Sequence, residues 1–345
     1  MTHINKIFVA ALAAFGVWPA LAGDWSPRLA ADYLDSRQKE WFEWPSAKAF
    51  GGPCVSCHTG VTYLLARPAL RRALGEKETT PYETGLADAL RTRLDGGTPD
   101  RQIFKKEPQA SQEAGVEAVF AALFLNTEKA LDRLWSRQIR EGEAKGAWQW
   151  FEFKVDPYEM PESTFFGASL AARAVGATSA DYRAREDVKP KIAELAAYFN
   201  RARESQPLHN RLLLLWASAR LPEVLAAPAR QSIIDEALSK QQPDGSWKTA
   251  DLGPWAAHPD APPAMEADSY ATAIAAFTLQ QAGVPSSNAK MARALAWLRS
   301  RQDPKGGYWP AVSMNKKREP GSMTAKFMQD AATAFAVLAL SEPRP

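Results

Sequence analysis

The stretch Gln241–Trp247, with the sequence QQPDGSW, decides the fold because it recurs in altered form along the chain. Its glutamine follows a helical pattern, and its glycine and tryptophan come four and six residues later. Looser copies lie at Gln302–Trp309, at Gln138–Trp148 and, without the glycine, at Gln38–Trp44. Recurrence of one unit along a chain is typical of proteins that stack supersecondary units. The pattern therefore predicts a repeat protein.

Each copy lies between a helix-forming segment and a second helix that is rich in alanine and other small residues. The second helices are predicted to begin near Cys57, Glu162, Asp268 and Asp330. Two further helix pairs lack the glutamine and tryptophan, and they are predicted at 83–94 with 113–125 and at 188–203 with 209–219. Six pairs over residues 23–345 give about 54 residues a pair, and no segment has a convincing strand pattern. We predict a single all-α domain over 23–345.

The QQPDGSW stretch resembles the glutamine–tryptophan repeat of squalene–hopene cyclases and of protein prenyltransferase β-subunits. The resemblance is strongest from about residue 130 to residue 341. It implies an (α/α)6 toroid whose inner helices direct their N-termini at a central apolar cavity. It also implies that the glutamine and tryptophan are structural residues that tie outer helices to the neighbouring repeat.

The chemistry of those families does not transfer to this chain. Cyclases use an Asp-x-Asp-Asp acid motif, and the matching stretch Glu266-Ala267-Asp268-Ser269 lacks the paired aspartates. Asp268 keeps part of that acid position and is the candidate catalytic residue. Prenyltransferases hold zinc with Asp, Cys and His, and the only cysteines here are Cys54 and Cys57. Neither terpene cyclisation nor prenyl transfer is expected.

The most specific chemical motif is Cys54-Val55-Ser56-Cys57-His58, which has the spacing of c-type haem attachment. Two thiols three positions apart reach the vinyl groups on one edge of a porphyrin, and His58 then presents a nitrogen to the iron. The motif predicts one covalent haem c held by Cys54, Cys57 and His58. Alignment of the repeats places this loop at the entrance of the first inner helix.

Three other interpretations of the two cysteines compete with haem attachment. A thioredoxin-like redox pair is expected in a βαβ context, which the chain lacks. A structural zinc site needs two more Cys or His nearby, and the next histidine is His209. A disulfide between Cys54 and Cys57 would need no histidine after the second cysteine.

The sixth iron ligand stays open on sequence grounds. His209 begins the inner helix of the fourth repeat, which faces the first repeat in a ring of six, so His209 is one candidate. His209 can instead cap its helix or contact a haem propionate. Four methionines near inner-helix starts are alternatives, as is an open position; they are Met160, Met265, Met323 and Met328. His258 lies in a proline-rich loop and is expected to be exposed.

Composition and the first residues indicate an exported, soluble protein. Lys6 precedes an apolar run from Ile7 to Val17, and Ala20-Leu21-Ala22 has a small-x-small cleavage pattern, so residues 1–22 are predicted to be a signal peptide. No later segment is long and apolar enough for a membrane span. The formal net charge of +3 argues against nucleic acid as a partner.

These observations leave three classes of function for a periplasmic haem protein. The leading prediction is a c-type cytochrome with a redox or electron-transfer role and a redox partner protein. The alternative is a haem enzyme, an oxidoreductase or peroxidase-like, acting on a small apolar ligand in the cavity. The third is a haem sensor or a hydrophobic-ligand binding protein without turnover. The basic segment 313–326 is expected to be solvated or to dock an acidic redox partner.

Overall fold

The computed structural model describes residues 24–49, 52–96, 103–255 and 267–341. These ranges hold thirteen α-helices and a single two-stranded hairpin, so the all-α prediction is confirmed. The predicted signal peptide, His258 and Met265 lie outside the described residues. None of the helices in the described ranges is long and apolar enough to cross a membrane.

The helices in chain order are α1 Pro27–Glu43, α2 Gly60–Leu74, α3 Pro81–Gly96, α4 Gln109–Leu125, α5 Glu128–Ser136, α6 Ser163–Gly176, α7 Ala180–Ala184, α8 Lys189–Ala202, α9 Leu208–Ser218, α10 Ala227–Ser239, α11 Ser269–Gln281, α12 Ala289–Arg299 and α13 Phe327–Ser341. The hairpin consists of β1 Lys48–Ala49 and β2 Gly52–Pro53, and it pairs Lys48 with Pro53. The predicted helix pairs correspond to α1–α2, α3–α4, α5–α6, α8–α9, α10–α11 and α12–α13. The short helix α7 was not predicted.

Local sequence explains where several helices begin and end. Ser26 caps α1 by accepting a hydrogen bond from the Leu29 amide at 3.2 Å, and Pro27 fits the first helical position because its missing N–H is not needed there. Thr80 and Glu83 bond each other's backbone amides at the start of α3, which is a capping box. Gly75 ends α2 with a φ of +66°, a conformation that glycine adopts without strain.

In most pairs the second helix is buried more completely than the first, and the contrast is large in α8–α9 and α10–α11. Every residue of α11 from Ser269 to Leu279 is buried, whereas α12 buries one stripe that includes Met291, Ala294 and Leu298. A helix that is apolar all round belongs inside a protein, and a striped helix belongs at its surface. The inner helices pack in succession, with α2 on α13, α13 on α11, α11 on α9, α9 on α6 and α6 on α4.

A repeated side-chain tie joins neighbouring helix pairs. The Gln241 amide nitrogen donates to the carbonyl of Gly245 at 2.9 Å and to the carbonyl of Lys290, in the next outer helix, at 2.8 Å. Gln138 and Gln302 make the equivalent pairs of bonds, to Gly146 with Lys191 and to Gly307 with Ser26. The tie from Gln302 therefore connects the last helix pair to the first helix.

The tryptophan and the glycine of each repeat also stabilise the contact between neighbouring helix pairs. The indoles of Trp148, Trp247 and Trp309 are fully buried, and each donates at 2.7 Å to a carbonyl at the end of its own outer helix. Gly307 has a φ of +75°, and a Cβ there would lie 2.2 Å from the Leu29 carbonyl oxygen. Only glycine permits this approach of one repeat to the next.

Candidate functional site

The Cys54–His58 segment forms the turn immediately before α2. The Cys54 amide donates to the Ala47 carbonyl at 2.8 Å, and the Trp41 indole donates to the Cys54 carbonyl at 2.7 Å. The Ser56 hydroxyl accepts hydrogen bonds from the first amides of α2, those of Thr59 and Gly60, both at 3.1 Å. These bonds fix the turn against α1 and against the helix that follows it.

Both cysteines carry free thiols. Cys57 is only 4 % exposed and Cys54 is partly buried. Burial raises the pKa of Cys54 to about 11 and raises that of Cys57 well above its ordinary value, so both are neutral thiols at pH 7. No group of three or more His, Cys, Asp or Glu side chains in the described ranges is arranged to hold a metal ion. A haem does not require such a group, because the porphyrin supplies four of the iron's ligands and the protein supplies only one or two.

His58 is oriented by a chain of hydrogen bonds that leads to a buried carboxylate. Its Nδ1 lies 3.3 Å from the Thr59 hydroxyl oxygen, and that hydroxyl donates its own proton to Asp330 at 2.9 Å. The Thr59 oxygen is therefore the acceptor for the His58 Nδ1–H, which leaves the lone pair on Nε2. Burial lowers the pKa of His58 to about 3, so the imidazole is neutral. Neutral imidazole with a fixed tautomer is the form that ligates metals.

Asp330 is held by three further donors in addition to Thr59. The Arg37 guanidinium bonds both carboxylate oxygens at 2.8 and 3.0 Å, and the Tyr33 hydroxyl donates at 2.7 Å. Asp330 and Arg37 are each 1 % exposed. Asp330 was predicted at the start of an inner helix, but α13 begins three residues earlier and the carboxylate lies in its first turn. It supports the His58 turn instead of facing an open cavity.

His58 lines a cleft where the N-terminal ends of α2, α6 and α13 meet. The cleft encloses a cavity of about 160 Å³ that is partly open to solvent, which is smaller than the ~300–1,000 Å³ of typical ligand sites. Phe327 stacks on the imidazole face of His58 with a centroid separation of 3.6 Å. A ligating lone pair lies in the ring plane, so this stacking leaves Nε2 free. The other side chains that line the cleft include Tyr158, Glu159, Asn315, Arg318 and Met328.

Arg318 gives the cleft an unpaired cationic donor. Its Nε is buried and has no hydrogen-bond partner in the part of the chain that the structure describes. Its charge contributes to the lowered pKa of His58, so the guanidinium lies near the imidazole. A buried guanidinium donor without a partner is costly unless an anion pairs with it. The propionates of a haem are such anions, and the free thiols, His58 and Arg318 together fit that group.

His209 does not line the cleft that contains His58. It is fully buried, with Nδ1 at 3.0 Å from the Asn210 side-chain oxygen and Nε2 at 2.7 Å from the Tyr270 hydroxyl. The Asn210 amide nitrogen donates elsewhere, so its oxygen accepts from Nδ1–H and the Tyr270 hydroxyl donates to Nε2. Both nitrogens of His209, predicted as a possible sixth ligand, are therefore engaged by protein groups.

The methionines that were predicted as ligands separate into three groups. Met328 lines the cleft with His58. The sulfur of Met323 accepts a hydrogen bond from Arg37 at 2.9 Å, and Met160 lies before α6 outside the cleft lining. Met265 cannot be placed because it lies outside the described residues. Met328 is therefore the candidate thioether that lines the same cleft as His58.

Asp268, the candidate catalytic residue, and Glu113, another acid near the start of an inner helix, mainly bond backbone amides. Asp268 caps α11 by accepting hydrogen bonds from the Tyr270 and Ala271 amides at 2.8 and 3.2 Å, and burial raises its pKa. Glu113 lies within α4, where it accepts from the Ile103 and Phe104 amides. Neither Asp268 nor Glu113 lines the His58 cleft. The catalytic role predicted for Asp268 has no geometric support from that cleft.

Two cleft residues were not singled out by sequence reasoning. Arg318 was predicted only as part of a solvated basic segment, and Glu159 lies in an irregular stretch with no motif. Their roles depend on contacts between distant segments, such as the pair of hydrogen bonds that joins Asn315 to the backbone of Asp156. Comparison with known proteins found no protein-family model that matches this chain and no curated protein similar to it.

Proposed function

We propose that this protein is an exported c-type cytochrome that carries one covalent haem and acts in electron transfer. Cys54 and Cys57 would hold the haem through thioethers, and His58 would bind its iron through Nε2. We further propose that the six helix pairs form an (α/α)6 toroid with the haem-binding loop in its first repeat. The successive packing of the inner helices and the tie from Gln302 to Ser26 support this arrangement.

The observation that carries the proposal is the orientation of His58. The chain from Nδ1 through Thr59 to Asp330 leaves the Nε2 lone pair unshared, directly after two free thiols and beside an unpaired Arg318 donor. A histidine with a merely structural role does not require that combination. The vinyl groups, the iron and a propionate of a c-type haem would be bound by the two thiols, His58 and Arg318 respectively.

Each of these residues would have a separate role in holding the haem. When bound, the haem supplies a one-electron couple between ferric and ferrous iron. The thiols fix one edge of the ring, His58 binds iron, and Arg318 pairs with a propionate. Phe327 and Trp41 surround the imidazole, with centroid separations of 3.6 and 6.3 Å, and exclude water from its face. This packing would protect a bond between His58 and the haem iron from competing water.

Export belongs to the same proposal. The predicted signal peptide at residues 1–22 would deliver the chain to the periplasm, where a redox partner protein would exchange electrons with it. The mature chain, 23–345, is proposed to act without a membrane span and without nucleic acid.

The size and openness of the cleft favour a second candidate function. A cavity of about 160 Å³ that is partly open to solvent can admit a small ligand beside His58. A haem oxidoreductase, or a haem sensor that binds such a ligand without turnover, would use the same attachment residues. The Asp268 carboxylate is not among the residues that line this cleft.

The test is reversible redox chemistry of the purified mature protein, produced in a periplasm with haem-attachment machinery. We expect visible absorption bands that sharpen with dithionite, return with ferricyanide and disappear in a Cys54→Ala/Cys57→Ala variant. Bands that survive in this variant, or that do not respond to reductant, would contradict the proposal. Ready binding of CO to the ferrous protein would favour the second candidate.

A further inference from the structure

Glu159 is a half-buried acid that the proposed electron transfer does not use. It lines the His58 cleft from the segment between α5 and α6. Its backbone pairs with Val155, while its carboxylate has no hydrogen bond or salt bridge to any of the described residues. The carboxylate interacts electrostatically with both Cys54 and Cys57. It therefore lies near the edge of the cleft to which the haem would be attached.

An unpaired carboxylate in such a place responds to the charge of its surroundings. Burial raises the pKa of Glu159 to about 7, so the proton is only loosely held near neutral pH. The titratable and charged groups around it are Cys54, Cys57 and His58 from the turn before α2, Asp156 and Tyr158 from its own segment, and Arg318 from the segment before α13. Thioether formation would remove the two thiols from this set.

We propose that Glu159 binds one proton when the haem gains one electron, so that the protein exchanges a proton together with an electron. The inference rests on the proposed haem attachment. The electron reduces ferric to ferrous iron, and the proton from solvent neutralises the Glu159 carboxylate. Loss of one positive charge at the iron raises the pKa of a nearby carboxylate, because the charged form loses electrostatic stabilisation. The two events therefore favour each other.

The midpoint potential of the haem, measured by redox titration from pH 5.5 to pH 9, tests this coupling. We expect it to fall as pH rises, by up to ~59 mV per pH unit, which is a tenfold change in proton concentration converted for one electron. Glu159→Gln should remove the slope, because the amide cannot take up a proton. Glu152→Gln, an exposed carboxylate on the same loop, is the matched control and should keep the slope.

Three outcomes would overturn the inference. They are a flat wild-type potential, a slope that survives in Glu159→Gln, or a changed ferric spin state in that variant, which would make Glu159 an iron ligand. Haem content is measured first, so a colourless wild type refutes the proposed function and a coloured protein without the slope refutes only this inference. If Glu159→Gln does not fold, proton uptake by the wild type on reduction in weak buffer gives the answer. We expect a substantial fraction of one proton per electron, and no uptake would be contradictory.

Discussion

The first and fifth repeats differ near the end of their outer helix, where Gln38 and Gln241 occupy equivalent positions in the repeat. The difference falls in the repeat that carries the Cys54–His58 motif. In the fifth repeat, Gln241 ties its own turn to the next outer helix with two hydrogen bonds. In the first repeat, Gln38 is fully buried and neither of its amide atoms has a partner within the described residues. Trp41 there bonds the carbonyl of Cys54 instead. Among the described residues, the first repeat therefore lacks this structural tie and carries the Cys54–His58 motif in its place.

The largest effect is expected from removing the imidazole that distinguishes the first repeat. His58→Ala should abolish the spectrum of a histidine-ligated haem, because Nε2 is the proposed iron ligand. His209→Ala removes the other buried histidine at an inner-helix start and should leave the ligation spectrum unchanged, since both nitrogens of His209 bond protein groups. Absorption and electron paramagnetic resonance spectra of the two variants make the comparison. A shift in His209→Ala alone would reverse the assignment.

The next effect concerns the buried ion pair behind His58. Asp330→Asn leaves the Arg37 charge without its buried partner and should lower the free energy of unfolding by about 3–5 kcal/mol. Urea denaturation of the haem-free protein measures this change. The exposed pair of Arg91 with Asp88 offers a control, because Asp88→Asn should cost less than ~1 kcal/mol. Equal costs for the two variants would show that the Asp330 network is not structural.

Lowering the pH is expected to reduce the free energy of unfolding by about 3 kcal/mol through His209. Burial lowers the pKa of His209 from its ordinary 6.5 to about 4, so protonation favours the unfolded chain. The stability that neutral His209 contributes is fully present above pH 6.5 and is lost progressively as pH falls toward 4. His209→Gln should be less stable at pH 7 but should lose less stability over this range. Parallel pH profiles of unfolding free energy for the two proteins would contradict this reasoning.

The smallest effect compares the two glutamines directly. Gln241→Leu removes two hydrogen bonds and leaves the carbonyls of Gly245 and Lys290 without that donor, so it should cost about 2 kcal/mol. Gln38→Leu replaces a buried amide that has no partner in the described part of the chain, and it should be neutral or stabilising. Thermal and urea unfolding measure both changes. A larger loss in Gln38→Leu would show that the first repeat keeps a tie of its own.

Much of the fold was predictable from local sequence. The QQPDGSW pattern and its looser copies located four helix pairs, and helical periodicity alone located the other two, because a buried inner helix and a striped outer helix leave distinct sequence patterns. The short helix α7 was missed because five residues carry too little periodicity. The start of α13 was predicted near Asp330, but a 3-10 turn at Thr324–Lys326 leads into a helix that begins at Phe327.

The site was predictable only where it is local. The spacing of Cys54, Cys57 and His58 is visible in five consecutive residues, and the prediction drawn from it awaits the experiments above. The contact of Thr59 with Asp330 spans 271 residues, and that of His209 with Tyr270 spans 61. Neither contact leaves a pattern in the sequence, because each arises only when distant inner helices come together. Arg318 and Glu159 were missed for the same reason.

Intact-mass spectrometry of the denatured mature protein, purified from a periplasm with haem-attachment machinery, tests the central claim most directly. A covalent adduct survives denaturation, so we predict one species that is heavier than the polypeptide by one haem and has no thiol left to alkylate. A species with the mass of the bare polypeptide and two alkylatable thiols, at Cys54 and Cys57, would contradict the account.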